Sequence, residues 1–238
     1  MKTMVVGASK GLGKALIEGL GERRQADRRL AHTPRAHPAQ ARRAVGLVEA
    51  NLSEPATAAA ALAQAVAENG LDTLIYNLGI WEELAFDRAY SFLTDTDEQV
   101  ETIVGCNITA TLLVLKRLLP ILLQSPRPRI ILTGSTSGLP QSGRPEVTFG
   151  ASKFALRGIA DALREGYRAQ RLGVTCLNLG YLNTDDPLST PRSVAEQHGA
   201  GHLIPVHDVV QVVHMALSLS SASYVKELTL PAILDERF

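Results

Sequence analysis

Short apolar runs alternate along the chain with longer stretches in which apolar residues recur every three or four positions. The short runs predict strands at 3–6, 45–49, 73–76, 129–133, 174–178 and 226–229. The longer ones predict helices over 12–20, 55–68, 97–123, 149–170 and 207–219. Thr96, followed three residues later by Gln99, has the form of a capping box opening the third helix. Residues 187–201, with their Pro, Ser, Thr and Gly content, read as a mobile loop. Alternation of this kind predicts an α/β fold, a doubly wound parallel sheet with helices on both faces. A chain of 238 residues fits one such domain, 1–238, with no internal repeat.

One segment breaks the pattern. Residues 23–44 hold seven arginines (23, 24, 28, 29, 35, 42 and 43) against one acid, Asp27, and no β-branched run. Three readings stand side by side: a solvated basic loop, a poorly written strand around 29–32, or text from a shifted frame of a GC-rich gene.

Composition narrows the function classes. Formal net charge is zero, so no global field favours nucleic acid or an anionic membrane. The apolar run of 109–123 is interrupted by Lys116, Arg117 and Pro120, which argues against a membrane span. Cys106 and Cys176 sit in apolar contexts and read as buried reduced thiols, without the spacing of a metal site. The chain opens directly on a strand and turn rather than a signal peptide, so the expected location is cytoplasmic.

The candidate chemistry begins at "VVGASKGLGKAL", which places Gly7, Gly11 and Gly13 between a strand and a helix. Glycines there let backbone approach a pyrophosphate, and the helix N-terminus offers free N–H groups. Four further stretches follow in order: "LIYNLG" with Asn77 and Gly79, "CNITAT" with Asn107, "IILTGSTSG" with Ser135, and "VTFGASKFALRG" with Lys153. "LNLGYLNT" then brings Gly180 and Thr184. In this order and spacing the chain resembles a short-chain dehydrogenase/reductase, and the resemblance runs nearly end to end, failing mainly at 23–44.

That resemblance implies a Rossmann-type dinucleotide-binding and catalytic domain, an NAD(P)(H)-dependent oxidoreductase that interconverts a carbonyl and an alcohol. Ser135 would hold the carbonyl oxygen, Asn107 a water of the proton relay, and Lys153 the nicotinamide ribose. Phe149 stands where the family carries its catalytic tyrosine, four residues before the lysine and on the same helix face. Cofactor contacts would come from Gly7, Ser9, Lys10, Gly11, Leu12, Gly13, Arg35, Asn51, Leu52, Asn77, Gly79, Lys153, Gly180 and Thr184. Tyr76, Leu78, Leu179 and Asn51 depart from the family pattern. Lys10 and Arg35 favour NADP(H), with NAD(H) the other choice. The resemblance also implies a homodimer or homotetramer acting on a small carbonyl or alcohol, with no metal.

A positioned acid contributes about 10²–10⁴-fold, so loss of the hydroxyl, natural or introduced, implies impaired or altered catalysis. Thr148, Tyr181 and His202 are the other proton donors the letters offer, although helix capping, packing and solvation are their plainer roles. A nucleotide-binding pseudoenzyme and a scaffold without nucleotide are the competing readings. The substrate would lie between Ser135, loop 139–145, Trp81 and 187–201, a lining that reads as largely apolar.

Overall fold

The computed structural model describes residues 1–30 and 46–236, the side chains of 22–30 excepted. Its frame is a parallel sheet of β1 (Thr3–Val6), β2 (Thr73–Tyr76), β3 (Arg129–Ser135), β4 (Gly173–Leu179) and β7 (Glu227–Leu230), adjacent in that order. Helix α1 (Gly11–Leu30) follows β1, and α2 (Pro55–Ala67) precedes β2. Between β2 and β3 run α3 (Asp97–Val104) and α4 (Ala110–Leu122), joined by one π-helical turn over Gly105–Thr109. Helix α5 (Val147–Gly166) leads into β4, and α6 (Arg192–Gly199) and α7 (Val206–Ser218) come before β7. A small parallel pair, β5 (Leu182–Asn183) with β6 (Ile204–Pro205), lies beyond β4.

The strand alternation assigns each residue to a face. Leu74, Tyr76, Ile130, Leu132 and Cys176 pack with α2, α4 and α5. Ile75, Ile131 and Leu177 pack on the other side with α1 and α7. Because both faces are covered, the inner strands read as continuous apolar runs rather than alternating ones. In α4, Val114, Leu118 and Leu122 recur every fourth residue and are fully buried. Each such burial contributes about 1.5–3 kcal/mol. The 97–122 stretch is long and apolar enough to cross a membrane by composition, but half of it is buried in the fold. It is a core helix.

Helix α1 packs on one face and α2 on the other. Open α/β sheets bind ligands outside the carboxyl ends of their strands.

Several expectations are corrected. Within 45–49, the described residues 46–49 form no strand, and Leu47 is 86% exposed; apolar side chains with nothing to cover them cannot sustain a parallel strand. Helix α1 continues through Leu30, so residues 29 and 30 are helical rather than extended; arginine is a good helix former, and no proline intervenes after Gly21. The remainder of the arginine-rich stretch, Arg35 included, lies outside the described residues. The expected loop at 187–201 contains α6, which starts after Pro191 and ends on Ala200 in the left-handed region at φ 47°. The active-site helix begins two residues before the expected 149 and ends at Gly166, four before 170. The capping box at Thr96 is present, with Gln99 N donating to Thr96 Oγ1 at 3.2 Å and Thr96 N to Gln99 Oε1 at 2.9 Å.

Candidate active site

Gly7 ends β1 at φ 76°, and a Cβ there would lie 1.9 Å from the carbonyl oxygen of Asn77. A Cβ on Gly13 would lie 2.0 Å from the Gly7 carbonyl oxygen. No side chain is tolerated at either position, so the turn is a bare backbone cradle opening onto the N-terminus of α1. Asn77 braces it, its N donating to Val6 O at 3.1 Å and its Nδ2 to Gly7 O at 3.4 Å. Leu12 is buried beneath the turn while Ser9 and Lys10 are exposed on it. Thr184 approaches from the far side; a Cβ on Gly11 would meet its side chain at 3.5 Å. Gly180, just past β4, donates its N–H to Leu230 O at 2.9 Å. A dinucleotide pyrophosphate fits this cradle on steric grounds, because every position that must be bare is glycine.

Of the other expected cofactor contacts, Asn51 is engaged within its own loop. Asn51 Oδ1 accepts from Ser53 N at 3.1 Å and Ser53 Oγ at 2.8 Å, which turns the amide oxygen into its own loop. Leu52 is half-buried against the core.

The polar groups expected to act together do converge. Lys153 is buried, its Nζ donating to Leu78 O at 3.3 Å and Thr133 O at 3.2 Å. Burial lowers this amine from 10.5 to about 8, because the charged form loses solvation. Gly79 lies close beside it, since a Cβ there would lie 2.7 Å from Nζ and displace the end of the lysine side chain. Ser135 ends β3 half-buried and its Oγ accepts from Ser137 N at 3.1 Å. Asn107 occupies the π-helical turn, a distortion frequent at functional sites. Its Oδ1 accepts from Ile80 N at 2.9 Å, and its Nδ2 donates to Ile80 O at 2.7 Å and Ser152 Oγ at 2.9 Å. Asn107 therefore clamps the chain after β2 against α5. Ser152 in turn donates to Phe149 O at 2.7 Å.

Phe149 is 6% exposed and its ring centroid lies 5.4 Å from Lys153 Nζ. The ring meets Trp81 at 6.2 Å and Phe86 at 5.7 Å, both edge-on, an arrangement that adds about 0.5–1.5 kcal/mol per pair beyond area burial. Phe86 also meets Tyr181 edge-on at 5.4 Å.

Sequence reasoning missed the charged groups that frame this cluster. Glu82, 1% exposed, accepts from both Thr148 N and Phe149 N through Oε1 at 2.9 Å. Glu146, the N-cap residue of α5, accepts from Phe86 N at 2.9 Å. Arg144 makes a buried two-oxygen ion pair with Asp235, both contacts at 2.9 Å, and donates to Tyr181 Oη at 2.7 Å. The only local signal was "GRPE" just ahead of the active-site helix. Of the alternative donors, Thr148 is buried in the first turn rather than capping it, Tyr181 is held by Arg144, and His202 is exposed. A cavity of about 340 Å³ opens beside Phe86 and Tyr181; it meets the expected substrate lining at Arg144, and Asp87, Arg88, Glu146, Asp235 and Glu236 also line it.

A family model described as short chain dehydrogenase matches residues 2–190. The chain belongs to that family. Among curated relatives, the uncharacterized oxidoreductase YciK of Escherichia coli (strain K12) is 31% identical over 148 residues, 56% of this chain and 55% of that protein. This match thus spans about half of the relative's length. Among solved structures, a metagenomic short-chain oxidoreductase in complex with NADP superposes with a TM-score of 0.65 at 22% identity, covering 96% of both chains. A 3-oxoacyl-[acyl-carrier protein] reductase from Brucella melitensis with bound NAD gives 0.70 at 20% identity, covering 98% of this chain and 90% of that one. Structural neighbours in the family therefore carry either dinucleotide, and the likeness places this sheet in the Rossmann-like class.

Proposed function

We propose that this chain is an oxidoreductase interconverting a carbonyl and an alcohol with a nicotinamide dinucleotide, one catalytic unit over residues 1–238. The carrying observation is the convergence of Lys153, Ser135, Asn107 and the glycine cradle at the carboxyl ends of β1–β4. The turn over Gly7, Gly11 and Gly13 would hold the pyrophosphate, with Leu12, Asn77, Gly79, Gly180 and Thr184 around it. Lys153 would bind the nicotinamide ribose. Bound in reduced form, the nicotinamide supplies a hydride. Ser135 is set to bind the carbonyl oxygen, where a fixed donor stabilises the charge that develops as the carbonyl is reduced.

Phe149 offers no proton, so the product oxygen must draw one from solvent or from Lys153, whose amine is protonated at pH 7. Catalysis is slowed accordingly, by about 10²–10⁴-fold against a tyrosine-bearing site. Exposed Lys10 supports a preference for NADP(H), as does Arg35 by its residue type. The outward-facing Leu112 of α4 and Phe154 of α5 support a homo-oligomer, in a cytoplasmic setting.

Titration of the purified chain with NADPH and NADH, followed by nicotinamide fluorescence, tests this reading. Saturable binding, tighter for NADPH, is expected. Failure to bind either dinucleotide would refute it.

A further inference from the structure

The cavity beside Phe86 and Tyr181 is built from three loops that leave the carboxyl edge of the sheet, those after β2, β3 and β4, together with the C-terminal tail. Its charged wall is unbalanced. Asp87, Glu146, Asp235 and Glu236 face Arg88 and Arg144, four carboxylates against two guanidiniums. The Arg144–Asp235 pair cancels internally, with side chains only 7% and 3% exposed. That leaves three carboxylates and one guanidinium to meet a ligand.

The position of Glu146 gives this excess a focus. It is 3% exposed, and its Oε1 is taken by Phe86 N, while its Oε2 is buried without a hydrogen-bond partner. A buried carboxylate oxygen with no donor is costly, by the full desolvation of a charged acceptor. Such an atom is stabilised when a ligand brings a donor, most strongly when that donor is cationic. Phe86 and Tyr181 supply apolar and aromatic walls for the carbon chain behind such a head group. Phe86 also touches Phe149, so the cavity abuts the catalytic helix.

We infer that this cavity takes the ammonium end of an amine-bearing substrate, with Glu146 as its specificity-determining partner. Only the word substrate rests on the oxidoreductase reading; the ammonium site itself does not. Arg88 and Arg144 do not make the cavity an anion site, because Arg144 is committed to Asp235 and Tyr181, and Arg88 is outnumbered at the lip.

Trp81 is the single tryptophan and packs on Phe86, 5.9 Å between ring centroids, so its fluorescence reports cavity filling without cofactor or turnover. The probes are hexylammonium, hexanol and hexanoate, equal in chain length and different in head-group charge. Hexylammonium is expected to bind about tenfold tighter than hexanol, and hexanoate weakest, as a charge-assisted hydrogen bond predicts. In Glu146→Gln, which keeps an oxygen for Phe86 N, the preference should collapse to within about twofold. The exposed pair Asp87→Asn/Glu236→Gln leaves the buried bonds alone and should reduce the preference by about threefold. This second variant decides the matter if Glu146→Gln melts early. Equal binding of hexylammonium and hexanol, tighter binding of hexanoate, or an unchanged preference in the variants would overturn the inference. An ammonium preference without NADPH binding would support this site while removing the oxidoreductase reading. NADPH binding without the preference would do the reverse.

Discussion

Phe149→Tyr adds one oxygen to a ring whose position is already fixed. Trp81 and Phe86 hold the ring edge-on, and Lys153 Nζ lies 5.4 Å from its centroid. The backbone beneath it is pinned by Glu82 and Ser152. The substituted ring therefore starts from a place that its neighbours already define. With its amine lowered to about 8, Lys153 still carries its proton at pH 7. A neighbouring cation favours the ionised form of a phenol and so lowers its pKa towards the working range. The expected gain is about 10²–10⁴-fold in carbonyl reduction, or about 3–5 kcal/mol of transition-state stabilisation.

The assay is single-turnover oxidation of NADPH by wild type and variant across β-keto esters, quinones, aromatic ketones and amino ketones. Thermal melting is run beside it, because a hydroxyl buried without a partner costs about 1–3 kcal/mol. An unchanged melting temperature means that the new oxygen has found Lys153, Ser135 or water. Adding Ser135→Ala to the tyrosine variant should then remove most of the gain. A tyrosine variant that is stable, binds NADPH and reduces every substrate within twofold of wild type would refute the view that position 149 is the missing acid.

Two further measurements probe the same region through stability. The fall of the Lys153 amine from 10.5 to about 8, at 1.36 kcal/mol per unit, sets about 3 kcal/mol against folding at neutral pH. Below pH 8 both states hold the proton and the penalty is complete. Between 8 and 10.5 only the unfolded chain holds it, so stability rises with pH, and above 10.5 the penalty is gone. In urea unfolding, the stability of Lys153→Met relative to wild type should therefore fall by about 3 kcal/mol between pH 7 and pH 10.5; a constant difference would show that the amine is not desolvated. At the cavity wall, Asp235→Ala strands the Arg144 guanidinium in a buried site, a loss of about 3–5 kcal/mol. Its melting temperature should drop by about 10 °C, and the double variant Arg144→Met/Asp235→Leu should recover most of that; a drop of under 2 °C in the single variant would mean the pair is solvated.

What the letters disclosed depended on how local its cause was. Strands such as "TLIY" and the "RIILT" part of β3 were legible because burial on both faces forces an apolar run through their centres. Gly7 and Gly13 were legible because sterics at a strand–helix turn allow nothing else. Helix α6 was not, since its buried residues are Ala195 and Gly199, which give no apolar stripe to read. Glu82 was not either, because its partners Thr148 and Phe149 lie 66 and 67 residues away. Nothing around a glutamate in "WEEL" marks it as buried. The charged cavity wall shares that cause, being assembled from loop residues whose neighbours the topology alone decides.

The aromatic packing does not discriminate between a working site and a silent one. A ring at 149 completes the cluster with Trp81 and Phe86 whether or not it carries a hydroxyl. Lys153 is different. Its carbonyl partners, Leu78 O and Thr133 O, lie on backbone that a silent fold would leave to water or to an apolar neighbour. Methionine at 153 would fill much the same volume without a charge to desolvate. A chain with no use for that amine would gain stability by losing it, since burial of an unpaired ammonium is among the costlier features a core can carry. Gly79 leaves the space beside it open, since a Cβ there would press on the end of the Lys153 side chain. The buried ammonium is therefore the feature that a purely structural role explains least, and it is what sets the oxidoreductase reading above a scaffold.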